Sequence, residues 1–185
     1  MAMLMMMRQG NYTNKNAVEN VIRYITRTRD KEEHREELVA WGGMGVGCYA
    51  TPELVIRQFC RVQDCYNIEG RGGRRVFHEV LNITEEEFVW MGRSYDSVYQ
   101  TAMKCAEFYY SMGFQVVFAV HHSKNRQVWN QGVHIHFVVN SVNYMTGRKW
   151  HTGIRESYTR EKTFDENMWK FERRGATEVL HFVNG

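Results

Sequence analysis

Two apolar runs near the middle of the chain most constrain its fold: FQVVFAVHH at 114–122 and GVHIHFVVNSV at 132–142. Both runs are of strand length and rich in β-branched and aromatic residues, so they predict two β-strands. The segment between them is too short for a crossover helix, which predicts an antiparallel pair. The first run ends in two histidines and the second contains two more, so half of the eight histidines lie on neighbouring strands.

The rest of the chain alternates between strand and helix patterns. The predicted elements are a short strand at 3–7, a helix within 11–27 that follows capping asparagines and ends near Thr26, a glycine-rich loop at 41–53, a helix over 53–63, a strand at 76–83, a helix over 94–113 closed by Gly113, a turn at 143–151 and a helix around 160–174. This order predicts one domain over residues 1–185, an α/β sandwich with a central, largely antiparallel sheet flanked by helices.

Composition and charge limit which partners the protein can bind and in which cellular compartment we expect it. A net charge of +3 permits a nucleic-acid partner without requiring one. Basic residues concentrate in three runs, RYITRTR (23–29), RGGRR (71–75) and TGRKWH (146–151). No apolar run is long enough to span a bilayer, the cysteines form no CxxC pair, and MLMMM (3–7) lacks the pattern of a signal peptide, so we expect a cytoplasmic protein with reduced thiols.

The histidine spacing predicts a metal site. Side chains alternate along a strand, so His134 and His136 point to the same face as Asn140, with Cβ atoms ~7 Å apart. A third imidazole can come from His121 or His122, because a one-residue change of register exchanges their faces. Three neutral imidazoles that leave coordination positions open can polarise a substrate oxygen.

The segment HIHFVVNSVNYMTGRKWH (134–151) resembles the two-histidine motif of the HUH endonucleases, specifically of the mobilization relaxases. Those proteins typically have a strand ending in histidine, a loop, a histidine–hydrophobic–histidine strand with an asparagine, and a Gly-Lys/Arg turn. The resemblance extends upstream through GFQVVFAVH, RRVFHEVLN and AVENVIRYITR, so it covers most of residues 10–152. One departure is the acidic residue that usually follows the first histidine by two positions, where this chain has Ser123.

The resemblance implies a tyrosine nucleophile on the first helix, and Tyr24 is the matching position, with Tyr12 in reserve. A phenol is a weak nucleophile at neutral pH, so nearby positive charge or a base must activate it. The resemblance also implies a divalent metal, Mg²⁺ or Mn²⁺. Its implied ligands are His121, His134 and His136, with His122 as the alternative, and His78 and Glu79 compete to orient a ligand histidine.

The implied function is nicking of single-stranded DNA at an origin of transfer through a 5′-phosphotyrosyl intermediate, with rejoining of ends at the same site. Implied partners are this DNA, accessory DNA-binding proteins and conjugation-coupling proteins. The DNA-binding candidates are Arg23, Arg27, Arg74, Arg75, Arg148 and Lys149, with Trp129, Tyr144 and Trp150 as stacking surfaces. Two alternatives stay open: a rolling-circle replication initiator, and a non-catalytic DNA-binding protein of the same fold.

Overall fold

The computed structural model describes residues 3–7, 10–28, 36–48, 50–123 and 132–150. Its elements are β1 (Met3–Met6), α1 (Ala17–Ile25), β2 (Glu36–Met44), α2 (Pro52–Cys65), β3 (Val76–Asn82), α3 (Glu85–Trp90), α4 (Tyr95–Ser111), β4 (Phe114–Ser123) and β5 (Gly132–Asn143). The helix predicted around 160–174 and the stacking candidate Trp129 lie outside the described residues. In the described part of the chain, no helix is both long and apolar enough to cross a bilayer.

The five strands form one sheet in the order β1-β3-β5-β4-β2, and every neighbouring pair is antiparallel. The predicted α/β fold with an antiparallel sheet and flanking helices is therefore confirmed. Strand β5 lies at the centre of the sheet, between β3 and β4. Its register with β4 pairs His134 with His121, so the two histidine-bearing strand ends meet.

Two hydrophobic clusters cover the two faces of the sheet. Helices α1 and α2 pack against Val138 and its neighbours, whereas α3 and α4 pack against Ile135 and Phe137. Because side chains alternate along β5, His134 and His136 lie on the same face as Val138, beneath α1 and α2. The histidines are therefore inside a covered layer of the protein rather than on an open sheet face.

Two elements differ from the sequence-based expectation. Residues 41–44 belong to strand β2, not to a loop, because they pair with residues 116–119 of β4. A Cβ at Gly42 would lie 2.6 Å from the hydroxyl oxygen of Tyr99 on α4, so a larger residue there would displace the Tyr99 side chain. Helix α3 was not predicted, although Thr84 and Glu87 form a capping box that marks its start.

Candidate functional site

Three histidine side chains meet beneath α1. His121 comes from β4 and His134 and His136 come from β5, and all three are essentially inaccessible to solvent. One ring nitrogen of each side chain lies within 4.8 Å of a ring nitrogen of the other two. Three buried imidazoles whose ring nitrogens lie this close together can share a single cation.

A fourth histidine extends this cluster. His78 on β3 has its Nε2 2.9 Å from Nδ1 of His136, and its own Nδ1 lies 3.1 Å from the hydroxyl of Tyr12. Burial, with a smaller effect of the neighbouring His121, lowers the pKa of His78 to about 4. His78 is therefore neutral at pH 7. Burial also raises the pKa of Tyr12, against the opposing effect of Arg74.

Tyr24 lies on α1 beside the cluster. Its ring centroid is 5.7 Å from that of His136 and 6.1 Å from that of His78, with edge-to-face geometry in both cases. The side chain is half-buried, so the phenol borders both the histidines and the solvent. Tyr12, the reserve candidate for the nucleophile, is 6 % exposed, and its hydroxyl is within hydrogen-bond distance of His78. Its oxygen is therefore poorly accessible to a substrate.

The end of α1 holds Arg27 against both Tyr24 and His121. The helix ends in a Schellman motif: the amide of Thr28 donates to the carbonyl of Arg23, and Arg27 has the left-handed φ of 55°. Glycine is the usual residue there, since a Cβ makes this conformation unfavourable. The guanidinium carbon lies 5.1 Å from the centroid of the Tyr24 ring.

Arg27 also fixes the tautomer of His121. Its Nη2 lies 3.0 Å from Nδ1 of His121, and because arginine can only donate, that Nδ1 accepts. Nε2 of His121 then carries the proton and donates to the carbonyl oxygen of Ile25 at 2.7 Å. His121 must use one of these two nitrogens to bind an ion, so its ligation is coupled to the end of α1.

The alternation of side chains separates the remaining histidine and carboxylate candidates from the cluster. His122 points to the opposite face, where its Nδ1 lies 2.5 Å from the Tyr95 hydroxyl. Glu79 also points to that face and accepts a hydrogen bond from Tyr109. Neither side chain reaches the three-histidine cluster, which leaves His121 as the β4 member and His78 as its neighbour on β3.

Comparison with protein families gives a match over most of the chain: the family described as Relaxase: MobA/VirD2-like, nuclease domain matches residues 24–171. The chain belongs to the MobA/VirD2-like relaxases. Members of this family are metal-dependent nucleases that nick DNA and bind its single strand. Searches of curated proteins and of solved structures gave no match. The matched range begins at Tyr24 and includes the three clustered histidines, whereas Tyr12 lies before it.

Two of the basic runs of the relaxase form one surface. Arg71 Nη1 donates to the carbonyl of Gly147 at 3.0 Å, and Lys149 Nζ donates to the carbonyl of Gly72. We call the cations of these two runs the basic patch; its members are Arg71, Arg74, Arg75, Arg148 and Lys149. Burial lowers the pKa of Lys149, and the charges of Arg75 and Arg71 lower it further, as expected when like charges are gathered.

The other predicted DNA contacts are distributed differently. Arg23 forms ion pairs with Glu19 on α1 at 2.9 Å and with Glu53 on α2 at 3.0 Å, so its charge is already paired with carboxylates. Among the stacking candidates, Trp150 packs against Phe77, Tyr109 and Phe114, and Tyr144 stacks on Tyr110. Sequence reasoning did not select Arg71, although it belongs to the RGGRR run that signalled the patch.

Asn140 shares the histidine face of β5 but has a structural role. Its amide nitrogen donates to the side chain of Gln115 at 2.9 Å and to the backbone carbonyl of Phe59 at 3.2 Å, and its amide oxygen accepts from Gln63 at 3.0 Å. Phe59 and Gln63 are on α2. Asn140 therefore fixes α2 on the sheet, which positions the covering layer above the cluster.

Proposed function

We propose that this relaxase nicks single-stranded DNA by transesterification, with Tyr24 as the nucleophile. One observation carries the proposal: the Tyr24 ring lies 5.7 Å from the ring of His136, so the phenol and the three-histidine cluster border the same space. A phosphate entering from the solvent side of Tyr24 can contact both. Arg27 supports this role because its positive charge, next to the phenol, favours the development of negative charge on the oxygen.

The residues that would hold the metal are His121, His134 and His136. The bound ion supplies Lewis-acid stabilisation of the negative charge that develops on the phosphate oxygens. We propose Mg²⁺ or Mn²⁺ in this role. Of these two, Mn²⁺ suits a set of imidazole nitrogens better, because Mg²⁺ prefers oxygen ligands.

The proposed reaction exchanges one phosphate ester bond for another. The Tyr24 oxygen bonds to phosphorus as the bond from phosphorus to the 3′ oxygen of the upstream nucleotide breaks. The phenol loses one proton and the departing 3′ oxygen gains one, so the products are a 5′-phosphotyrosyl strand and a free 3′ hydroxyl. No water is consumed, so attack by a 3′ hydroxyl on the phosphotyrosine reverses the reaction and rejoins the ends.

The proposed substrate is the single strand at an origin of transfer, with accessory DNA-binding and conjugation-coupling proteins as partners. The basic patch supports a path for this strand. Arg74 lies 4.9 Å from the ring centroid of Tyr12, and Tyr12 contacts His78, so the patch borders the site on the β3 side. Its arginines and lysine would contact phosphates and position the strand.

A covalent-adduct assay tests the proposal. The protein is mixed with Mn²⁺ and a random-sequence pool of single-stranded oligonucleotides, labelled at the 3′ end in one sample and at the 5′ end in another. A 5′-phosphotyrosyl bond predicts that only the 3′ label migrates with denatured protein. Tyr24→Phe is expected to abolish the adduct and to leave DNA binding intact. DNA binding by the parent protein with no adduct under any divalent metal contradicts the proposal and favours the non-catalytic alternative.

A further inference from the structure

We infer that Tyr12 and His78 form a positioning pair that holds His136 in the orientation needed to bind the metal. This inference rests on the metal site proposed above. It adds two residues that act through His136 and contact neither the substrate nor the ion. The observation that carries it is a continuous line of buried polar contacts, from the Tyr12 hydroxyl through His78 to Nδ1 of His136.

The contact at Nδ1 decides which nitrogen of His136 faces the cluster. Because Nδ1 lies 2.9 Å from Nε2 of His78, Nε2 of His136 is the nitrogen left to serve as ligand. A ligating nitrogen must offer its lone pair, so the ring proton belongs on Nδ1, which donates it to His78. His78 then accepts at Nε2, and its own proton lies on Nδ1, facing the Tyr12 oxygen 3.1 Å away.

Packing holds both members of the pair in place. Tyr12 and His78 are 6 % and 4 % exposed. The Tyr12 ring lies directly over Gly10, where an added Cβ would be 2.7 Å from the ring, and the Arg74 guanidinium lies on the ring at 4.9 Å. Reorienting side chains this confined would disrupt their packing. They therefore hold the ring plane of His136, as residues that hydrogen-bond to metal-binding histidines generally do.

A second tyrosine–histidine contact in the same sheet provides a matched control. On the opposite face, the Tyr95 hydroxyl lies 2.5 Å from Nδ1 of His122, the same pair of groups as in Tyr12 and His78. His122 makes no contact with the three-histidine cluster because its side chain points away from it. Removing the Tyr95 hydroxyl therefore deletes a hydrogen bond between the same two groups, at a more exposed position, without touching the metal site.

The test is a calorimetric titration of the purified protein with Mn²⁺, without DNA. In His78→Phe, which fills the same space but lacks both nitrogens, the dissociation constant is expected to rise about 10- to 100-fold. His78→Gln places an acceptor near the position of the His78 Nε2, so it should recover most of the loss. Tyr12→Phe should weaken binding less than His78→Phe does, and Tyr95→Phe should not weaken it.

Controls separate this inference from the proposed metal site. Thermal unfolding of each variant shows whether it is folded, and if His78→Phe does not fold, Tyr12→Phe compared with Tyr95→Phe decides the matter. If His134→Ala loses Mn²⁺ but folded His78→Phe binds it as the parent does, the pair has no positioning role. If the parent binds no Mn²⁺, the metal site and the positioning pair both fail.

Discussion

The guanidinium of Arg27, at the point where α1 ends, lies 5.1 Å from the centre of the ring of Tyr24, which is three residues earlier in the chain. This contact places a permanent positive charge beside the proposed nucleophile. The same guanidinium contacts His121, so a single side chain connects the phenol to the histidine cluster.

Replacing Arg27 by alanine is expected to slow DNA cleavage by about 100-fold, because the variant lacks the charge that favours the reactive phenol oxygen and the negative phosphate. Arg27→Lys should retain part of the rate, since lysine keeps the charge but not the planar fork. Single-turnover cleavage of a labelled strand measures the effect. Arg57→Ala, an exposed cation on α2, is the control for a change of net charge alone. Equal rates for Arg27→Ala and Arg57→Ala contradict the prediction.

The left-handed backbone of Arg27 allows the effect of a substitution on stability to be measured separately from its effect on activity. Arg27→Gly and Arg27→Ala both remove the guanidinium, but only glycine adopts a φ of 55° without strain. We expect the glycine variant to be more stable than the alanine variant by about 1 kcal/mol, with the same low activity. Denaturant unfolding of the two variants measures the difference, and an alanine variant of equal or greater stability contradicts it.

The lowered pKa of His78 predicts that the protein loses stability in mild acid. Its pKa falls from an ordinary value of 6.5 to about 4 in the fold, chiefly because of burial. Between those values the unfolded chain takes up a proton that the folded protein does not, so lowering the pH favours unfolding. At pH 5 the cost is about 2 kcal/mol relative to neutral pH.

Unfolding by urea at pH 7 and pH 5, in the presence of a chelator, tests this expectation. His78→Gln cannot take up this proton, so its stability should fall less than that of the parent over the same interval. The comparison isolates His78, because the other histidines contribute to both proteins. An identical fall in the two proteins shows that His78 does not titrate as expected.

The basic patch predicts how DNA binding depends on salt. In the double variant Arg74→Ala and Arg75→Ala, the logarithmic dependence of affinity on salt should weaken by about 0.7 for each phosphate that the protein no longer neutralises. The double variant Arg57→Ala and Arg61→Ala on α2 removes the same net charge from another surface. If both double variants change the salt dependence equally, net charge rather than the patch determines binding.

Local patterns in the sequence determined a large part of this protein. The spacing of Val18, Val21, Ile22 and Ile25 predicted α1, whose end the structure puts at Ile25. The alternation in β5 predicted that His134 and His136 share one face, which holds because side-chain direction in a strand follows from the backbone alone. The sequence also predicted that Gly113 ends α4. The structure gives Gly113 a left-handed φ of 87°, which favours glycine.

Side-chain alternation left His121 and His122, and His78 and Glu79, as alternatives, and the tertiary structure shows which member of each pair lies on the face of the cluster. Each pair consists of adjacent residues on opposite faces, so the choice depends on which face receives α1, and no local pattern contains that information. The contact between Tyr12 and His78 joins residues 66 positions apart, through the packing of the segment after β1 against β3. The sequence thus determined which residue types could form the site, because periodicity is local. Strand register and helix packing decided which of them meet, because both are set by distant parts of the chain.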